Sequence, residues 1–129
     1  MRVCFPGGKT VAAEFRGFTV LTDQPDATGG SGSAPSPFDL FLASLATCTG
    51  YYVLAFCQKR GIPTEEIELS LTTVRNEETR MIERIEIKVH LPAGFPEKYV
   101  GACLKAASQC AVKKHLQNPP HVELTAERE

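Results

Sequence analysis

The segment Ser36–Arg60, SPFDLFLASLATCTGYYVLAFCQKR, decides the fold of this 129-residue chain. Its central part, Leu40–Cys57, carries no charged residue and predicts one long helix that is buried in the domain. The start of the helix is marked by three residues. Ser36 suits the N-cap, Pro37 suits the first helical position, and Asp39 stands at N3, where it can complete a capping box.

The helix is expected to end near Arg60, because Gly61 and Pro63 follow. At 1.5 Å per residue it would be roughly 35 Å long, which is nearly enough to cross a bilayer. We nevertheless expect no membrane span, because strand patterns flank the segment and its interior is interrupted by small and polar residues, namely Ser44, Thr47, Thr49 and Gly50. The prediction is a central core helix.

Patterns typical of β-strands flank this helix on both sides. The predicted strands are 10–14 and 18–22 before the helix, and 67–71, 85–91 and 121–126 after it. A loop of small residues, 28–35, leads into the long helix, and a second helix is predicted over 96–110. The sequence therefore predicts a single α+β domain over residues 1–129, in which an antiparallel sheet is wrapped around a long central helix.

Composition and charge exclude several classes of function. The chain is 43% hydrophobic and 22% charged, as is usual for a globular protein, and its net charge is −1. Because its basic residues form no cluster larger than a pair such as Lys113-Lys114, we expect no nucleic-acid partner. The first eight residues lack the apolar region of a secretory signal, so the expected location is cytoplasmic.

Cysteines are the residues that point to chemistry. The five of them form an odd number, which argues against a complete disulfide framework; they are Cys4, Cys48, Cys57, Cys103 and Cys110. No Cys-x-x-Cys or His-x-x-x-His spacing occurs, and no dinucleotide or phosphate-loop glycine pattern is present, so neither a metal nor a cofactor is expected. What the residues allow is thiol redox chemistry.

The positions of the thiols limit how they can pair. Cys48 and Cys57 are nine residues apart on one helix, so they should point to opposite sides and cannot join each other. Cys48 could pair only with a cysteine of another segment, and both Cys103 and Cys110 are candidates.

A reactive thiol also needs a nearby cation or helix N-terminus to lower its pKa. Cys48 lies more than two turns into its helix, so the cation must come from elsewhere. Lys9 and Arg16, on turns of the N-terminal strands, are both candidates. An inert, structural Cys48 is the alternative.

Two stretches resemble the OsmC/Ohr family. The first is 29–48, GGSGSAPSPFDLFLASLATC, with a glycine-rich loop, a Ser-Pro-x-acid-Leu helix start and a cysteine among small residues. The second is 107–112, ASQCAV, which is similar to the second cysteine motif of that family. The resemblance implies an intertwined, swapped homodimer, with sheets wrapped around central helices and two active sites at the interface.

The resemblance also implies an activity, because the better-known members reduce organic hydroperoxides. By motif match, Cys48 would be oxidised to a sulfenic acid, Cys110 would resolve it as a disulfide, and an external thiol would reduce that disulfide. An arginine and a glutamate hold the thiolate in those members. Here Phe38 stands in place of the glutamate. Asp39, one residue further, resembles the acid of the less characterised OsmC-like branch and is a candidate for the same catalytic role, with capping of the helix as the alternative.

The matching cation in this chain is Lys9, after Gly7-Gly8, and Arg16 is its possible substitute. For the substrate we predict an apolar pocket from Phe38, Phe41 and Leu45, which precede the cysteine along the helix. Two other functions stay open. One is a dimer without peroxidase activity that uses the thiols for binding an apolar ligand or for redox sensing, and the other is a purely structural dimer.

Overall fold

The computed structural model describes residues 1–128 and contains two antiparallel sheets and one long helix. Its strands are β1 (Arg2–Gly7), β2 (Thr10–Phe15), β3 (Phe18–Thr22), β4 (Glu68–Arg75) and β5 (Ile82–His90). Its helices are α1 (Pro37–Lys59), α2 (Val100–Ala107) and α3 (Ala111–Gln117), and 3₁₀ turns cover Asp26–Thr28 and Glu97–Tyr99. The α+β class with antiparallel strands is confirmed, although the strands are divided between two sheets.

The chain divides into two compact units, Met1–Ser44 and a second that begins at Leu45. In the first unit, β1, β2 and β3 form a sheet in that order. The β2–β3 hairpin closes through Arg16 and Gly17, whose φ angles of 48° and 81° are the left-handed pair that a tight two-residue hairpin requires. This turn and the two strands confirm the sequence prediction.

The loop after β3 is held to a buried carboxylate. Asp23 is 1% exposed and accepts hydrogen bonds from the hydroxyls of Ser31 and Ser33, at 2.9 and 2.7 Å, and from the backbone N–H of Gln24. Gly30 is required because an added Cβ would lie 1.8 Å from the carbonyl oxygen of Gln24. The glycine-rich loop is therefore an ordered structure and not a flexible connection.

Both ends of α1 follow the local signals. The backbone N–H of Asp39 donates to the Ser36 hydroxyl at 3.1 Å, and the Asp39 carboxylate accepts from the Ser36 N–H at 3.0 Å, which completes the capping box. At the other end, Gly61 has a φ of 64° and Ile62 N–H donates to the Cys57 carbonyl. The predicted helix is confirmed within one residue.

This helix is long and apolar enough to cross a membrane by length and composition alone, a test that the core helix of a soluble protein can also pass. Within the chain, 28% of its most apolar window is buried. The rejection of a membrane span stays a prediction.

In the second unit, β4 and β5 form a hairpin in which Leu71 pairs with Ile87, and half-buried side chains alternate with exposed ones, as predicted. The core of this unit is a cluster of buried residues from α1, α2 and the loop before α2: Val53, Phe56, Cys57, Phe95, Cys103 and Ala107.

Two predicted elements are wrong. The helix over 96–110 is a 3₁₀ turn followed by α2, and the chain leaves helical geometry at Cys110 (φ −47°, ψ 121°) before α3 begins. No strand forms over 121–126, because Pro119 and Pro120 interrupt the chain and the following apolar side chains, Val122 and Leu124, are 83% and 96% exposed. The single domain and the swapped dimer stay predictions.

Candidate active site

Two cysteines from distant parts of the sequence meet in the second unit. Cys48 lies in the middle of α1 and is half-buried, whereas Cys110 precedes α3 and is fully buried. The Cys48 thiol donates a hydrogen bond to the sulfur of Cys110. Of the two partners that the sequence left open for Cys48, the structure places Cys110 beside it.

The backbone around Cys110 explains how this sulfur is held. Cys110 is the N-cap of α3, so its side chain points back over the first turn and its Sγ accepts the backbone N–H of Lys113 at 3.4 Å. On the α1 side, the carbonyl oxygen of Leu45 lies 4.0 Å from the same sulfur and accepts the Thr49 hydroxyl at 2.8 Å. The interruption between α2 and α3 therefore places the Cys110 sulfur beside the turn of α1 that contains Leu45 and Thr49.

The electrostatics of the pair favour a negative charge on Cys110. Burial raises the pKa of the Cys110 thiol, but hydrogen bonds oppose this effect and together lower its pKa. The donors are the Lys113 N–H, the Cys48 thiol and the Val112 N–H, and the Thr49 hydroxyl, whose proton goes to the Leu45 carbonyl, also lowers this pKa. The Cys48 sulfur is therefore more accessible than that of Cys110, whereas the thiolate form is better stabilised at Cys110.

The three predicted activating residues all lie in the first unit. Lys9 is exposed on the β1–β2 turn. Arg16 is exposed on the β2–β3 turn, with its guanidinium 5.8 Å from the centre of the Phe15 ring. The Asp39 carboxylate is engaged by the hydroxyl and N–H of Ser36, which lower its pKa. Its position is that of a helix cap, and the catalytic role of all three residues stays a prediction.

The predicted substrate residues differ in exposure. The Phe38 side chain is 48% exposed, and its ring centre lies 5.2 Å from that of Phe41. Leu45 is 4% exposed, so its side chain is part of the interior and its carbonyl, not its side chain, approaches Cys110. A cavity of about 360 Å³ lies elsewhere in the second unit, lined by Ile62, Pro63, Glu65, Glu66, Pro92, Gly94 and Phe95.

Sequence reasoning missed the groups that hold Cys110. Thr49 follows Cys48 directly, and Lys113 stands three residues after Cys110, which is the spacing of an N-cap bond. That spacing could have revealed the cap if the helix had not been extended through Cys110. Among residues 1–128 no group of three or more His, Cys, Asp or Glu side chains could hold a metal ion.

Comparison with known proteins identifies the wider group. Residues 30–125 match the family model described as OsmC-like protein. No curated protein matches the chain significantly. Each solved structure compared below is under 25% identical to the chain, so it supports the fold alone.

Three solved structures align with most of this chain. A Psychrobacter arcticus protein, provisionally assigned to osmotic stress induction and detoxification, is 23% identical with a TM-score of 0.74 over 88% of this chain and 84% of its own. An OsmC-like protein from Mycoplasma pneumoniae is 16% identical, with a TM-score of 0.66 over 85% and 80%. A Vibrio cholerae protein, provisionally assigned to organic hydroperoxide resistance and solved with captopril in one active site, is 19% identical, with a TM-score of 0.56 over 91% and 83%.

Proposed function

Because the chain belongs to the OsmC-like protein family, we propose that it is a thiol-dependent peroxidase that reduces organic hydroperoxides through Cys48 and Cys110. The observation that supports this function is the hydrogen bond between the two thiols, which joins an accessible sulfur to one that is stabilised as a thiolate. The name of the Vibrio cholerae protein points to the same substrate class.

The accessibility of the two sulfurs divides the roles. A hydroperoxide can reach Cys48, which is half-buried, more easily than Cys110, which has no exposed surface. The Cys110 thiolate accepts the proton of Cys48 as the Cys48 sulfur attacks the outer peroxide oxygen. The O–O bond breaks, the alkoxide takes a proton from solvent and leaves as the alcohol, and Cys48 becomes a sulfenic acid.

The second step uses the same pair. The Cys110 sulfur attacks the Cys48 sulfenic sulfur, the S–O bond breaks, and the oxygen leaves as water with two protons. One hydroperoxide has then gained two electrons and two thiols have become one disulfide. An external thiol reductant supplies two electrons to restore the pair. Since the thiols already form a hydrogen bond, the sulfurs need little movement to join.

Assembly as a cytoplasmic homodimer is part of this proposal. In the second unit, the α1 side chains Tyr51 and Leu54 are 61% and 39% exposed, and in the first unit Phe5 and Phe18 are 81% and 63% exposed. Large apolar side chains exposed at this density are unusual for a monomer. A second copy of the chain would cover them, and substrates would bind beside Phe38 and Phe41.

The test is hydroperoxide consumption by the pure protein with a dithiol reductant. Cumene hydroperoxide should be consumed catalytically, Cys48→Ser should abolish turnover, and Cys110→Ser should form no intramolecular disulfide, so that any remaining turnover passes through a mixed disulfide between Cys48 and the reductant. The matched control is Cys4→Ser, which changes a half-buried cysteine in β1 and should be fully active.

Two results would contradict the peroxidase. Consumption unaffected by Cys48→Ser would remove that residue from the reaction. A Cys48–Cys110 disulfide that forms with one equivalent of peroxide but does not turn over with any thiol reductant would instead favour redox sensing.

A further inference from the structure

A second pair of thiols lies in the core of the second unit. Cys57 comes from the last turns of α1 and Cys103 from the middle of α2, and both have no exposed surface. They belong to the same buried cluster as Phe56 and Phe95. Because Cys48 and Cys57 face opposite sides of α1, this pair is separate from Cys48 and Cys110.

The two buried thiols lie close together. Both are fully buried in the same cluster, where side chains of α1 and α2 pack, and an interaction between them affects the pKa of each thiol. Two thiols placed in this way on packed helices can approach the separation that a disulfide needs. Most buried cysteines are inert, but a buried pair of neighbouring thiols has a reaction open to it that a single buried thiol lacks.

A cation stands next to this pair. Arg60 follows Cys57 by three residues, so it lies on the same face of α1. Its guanidinium is held 3.7 Å from the centre of the Phe56 ring and 5.5 Å from that of Tyr99, and it donates to the Phe56 carbonyl at 3.2 Å. Burial raises the pKa of the Cys57 thiol, and the positive charge of Arg60 opposes part of that increase.

We propose that Cys57 and Cys103 form a second redox site, which a small organic hydroperoxide converts into a disulfide that joins α1 to α2. The Cys57 thiolate attacks the outer peroxide oxygen, the O–O bond breaks, and the alcohol leaves after taking a proton. Cys103 then attacks the Cys57 sulfenic sulfur, and water leaves with the oxygen. Two thiols lose two electrons and the hydroperoxide gains them.

The order of attack follows from the interaction between the two thiols. Burial raises the pKa of both, and their interaction opposes this effect at Cys57 but adds to it at Cys103, so the negative charge is better placed on Cys57 and Cys103 becomes the resolving thiol. Because burial dominates at both thiols, the thiolate is scarce at neutral pH and the reaction is slow. The site should respond to sustained oxidation, long after the more accessible Cys48 has reacted.

Access for an apolar oxidant is available at one edge of the cluster. The cavity of about 360 Å³ is lined by Phe95, a member of the cluster, and by Ile62, which packs against it. The cavity therefore borders the cluster that contains the two thiols. Its apolar side chains, those of Ile62, Pro63, Pro92 and Phe95, favour an alkyl hydroperoxide over hydrogen peroxide, and Glu65 and Glu66 form its polar part.

The experiment uses the full chain with Cys48→Ser, so that the first site is silent and the outcome is independent of the proposed peroxidase. The folded protein is held with excess tert-butyl hydroperoxide, and its disulfides are mapped by peptide mass spectrometry over hours. The expected product is an intramolecular Cys57–Cys103 disulfide that dithiothreitol reverses. Oxidation of Cys4 in the same sample reports that the oxidant is present and active.

Two results would overturn the proposal. In the first, both Cys57 and Cys103 remain reduced in folded protein after Cys4 has been fully oxidised. In the second, several different disulfides form, and they form at the rate at which the protein unfolds. Both are read in protein whose core is unaltered, so a misfolded variant cannot produce them.

A second measurement tests the cation. Arg60→Gln should slow formation of the Cys57–Cys103 disulfide by roughly fivefold, since it removes one partly solvated charge near the thiolate. Lys59→Gln, which removes the neighbouring exposed charge, is the matched control and should leave the rate unchanged. Equal rates in the two variants would remove Arg60 from the site.

Discussion

Replacing Cys110 with serine should slow the first chemical step at Cys48, in addition to removing the resolving thiol. If Cys110 only resolved the sulfenic acid, Cys48 would be oxidised at the same rate without it. The structure places the better-stabilised charge on Cys110 and has Cys48 donate to it, so Cys110 is also the base that takes the Cys48 proton. The hydroxyl of a serine at this position stays protonated near neutral pH, so it cannot take the Cys48 proton.

The size of the effect follows from the hydrogen bond that is lost. A hydrogen bond to an ionised group contributes about 1.5–3 kcal/mol, and a thiol is a weak donor, so the lower figure applies. This free energy corresponds to about tenfold in the rate of Cys48 oxidation near neutral pH. The difference should shrink as the pH rises, because hydroxide then competes with Cys110 as the base that takes the Cys48 proton.

The assay is the single-turnover rate at which the reduced protein consumes cumene hydroperoxide between pH 5 and pH 10, because this rate reports the first step whether or not Cys110 then attacks the sulfenic acid. Ser108→Ala is the matched control, because its exposed hydroxyl donates to the Lys105 carbonyl and not to either thiol, and it should behave as wild type. Identical pH profiles for wild type and Cys110→Ser would refute the role of Cys110 as a base and leave it the resolving role alone.

Three further changes test other parts of the structure. Thr49→Val removes a hydroxyl that lowers the pKa of the Cys110 thiol, so the variant should have a higher Cys110 pKa than wild type; a thiolate absorbance titration checks this, and an unchanged curve would contradict it. Asp23→Asn should lower the melting temperature at pH 7, because hydrogen bonds from Ser33 and others hold the pKa of this carboxyl well below 3.8. The stabilisation by the charged Asp23 carboxylate is fully present above pH 3.8 and is lost as the pH falls through the lower pKa of the folded state. The difference in melting temperature between wild type and Asp23→Asn should therefore disappear in acid, as calorimetry can show. Tyr51→Asp should shift the sedimentation of the proposed dimer toward a monomer, and a wild-type monomer at micromolar concentration would refute the dimer.

The parts of the fold that the sequence predicted well are those encoded by neighbouring residues. Helix α1 starts with a capping box that needs only Ser36 and Asp39, and it ends at Gly61, whose left-handed φ any other residue would adopt less readily. The β2–β3 hairpin is likewise decided by two turn residues. In each case the interaction spans fewer than five residues, so the sequence carries all the information.

The errors occur where distant contacts decide. The segment 96–110 has helical periodicity throughout, but Cys110 leaves the helix and turns its sulfur toward α1, a contact that no local pattern encodes. The segment 121–126 has the composition of a strand, but no neighbouring strand pairs with it, and a strand without a partner leaves its backbone hydrogen bonds unmade.

The two thiol pairs show why the cysteine spacing in α1 predicted orientation but not chemistry. Helical periodicity alone places Cys48 and Cys57 on opposite sides of α1, and the structure gives each a different partner. Both partners are fully buried, so desolvation acts against a thiolate at Cys103 and at Cys110 alike. What separates them is the supply of N–H donors. Cys110 stands at a helix start, where unpaired backbone N–H groups turn toward its sulfur, whereas Cys103 lies inside α2, where the helix uses those groups itself. The interruption between α2 and α3 is therefore the feature that turns one buried thiol into a site for negative charge and leaves the other protonated.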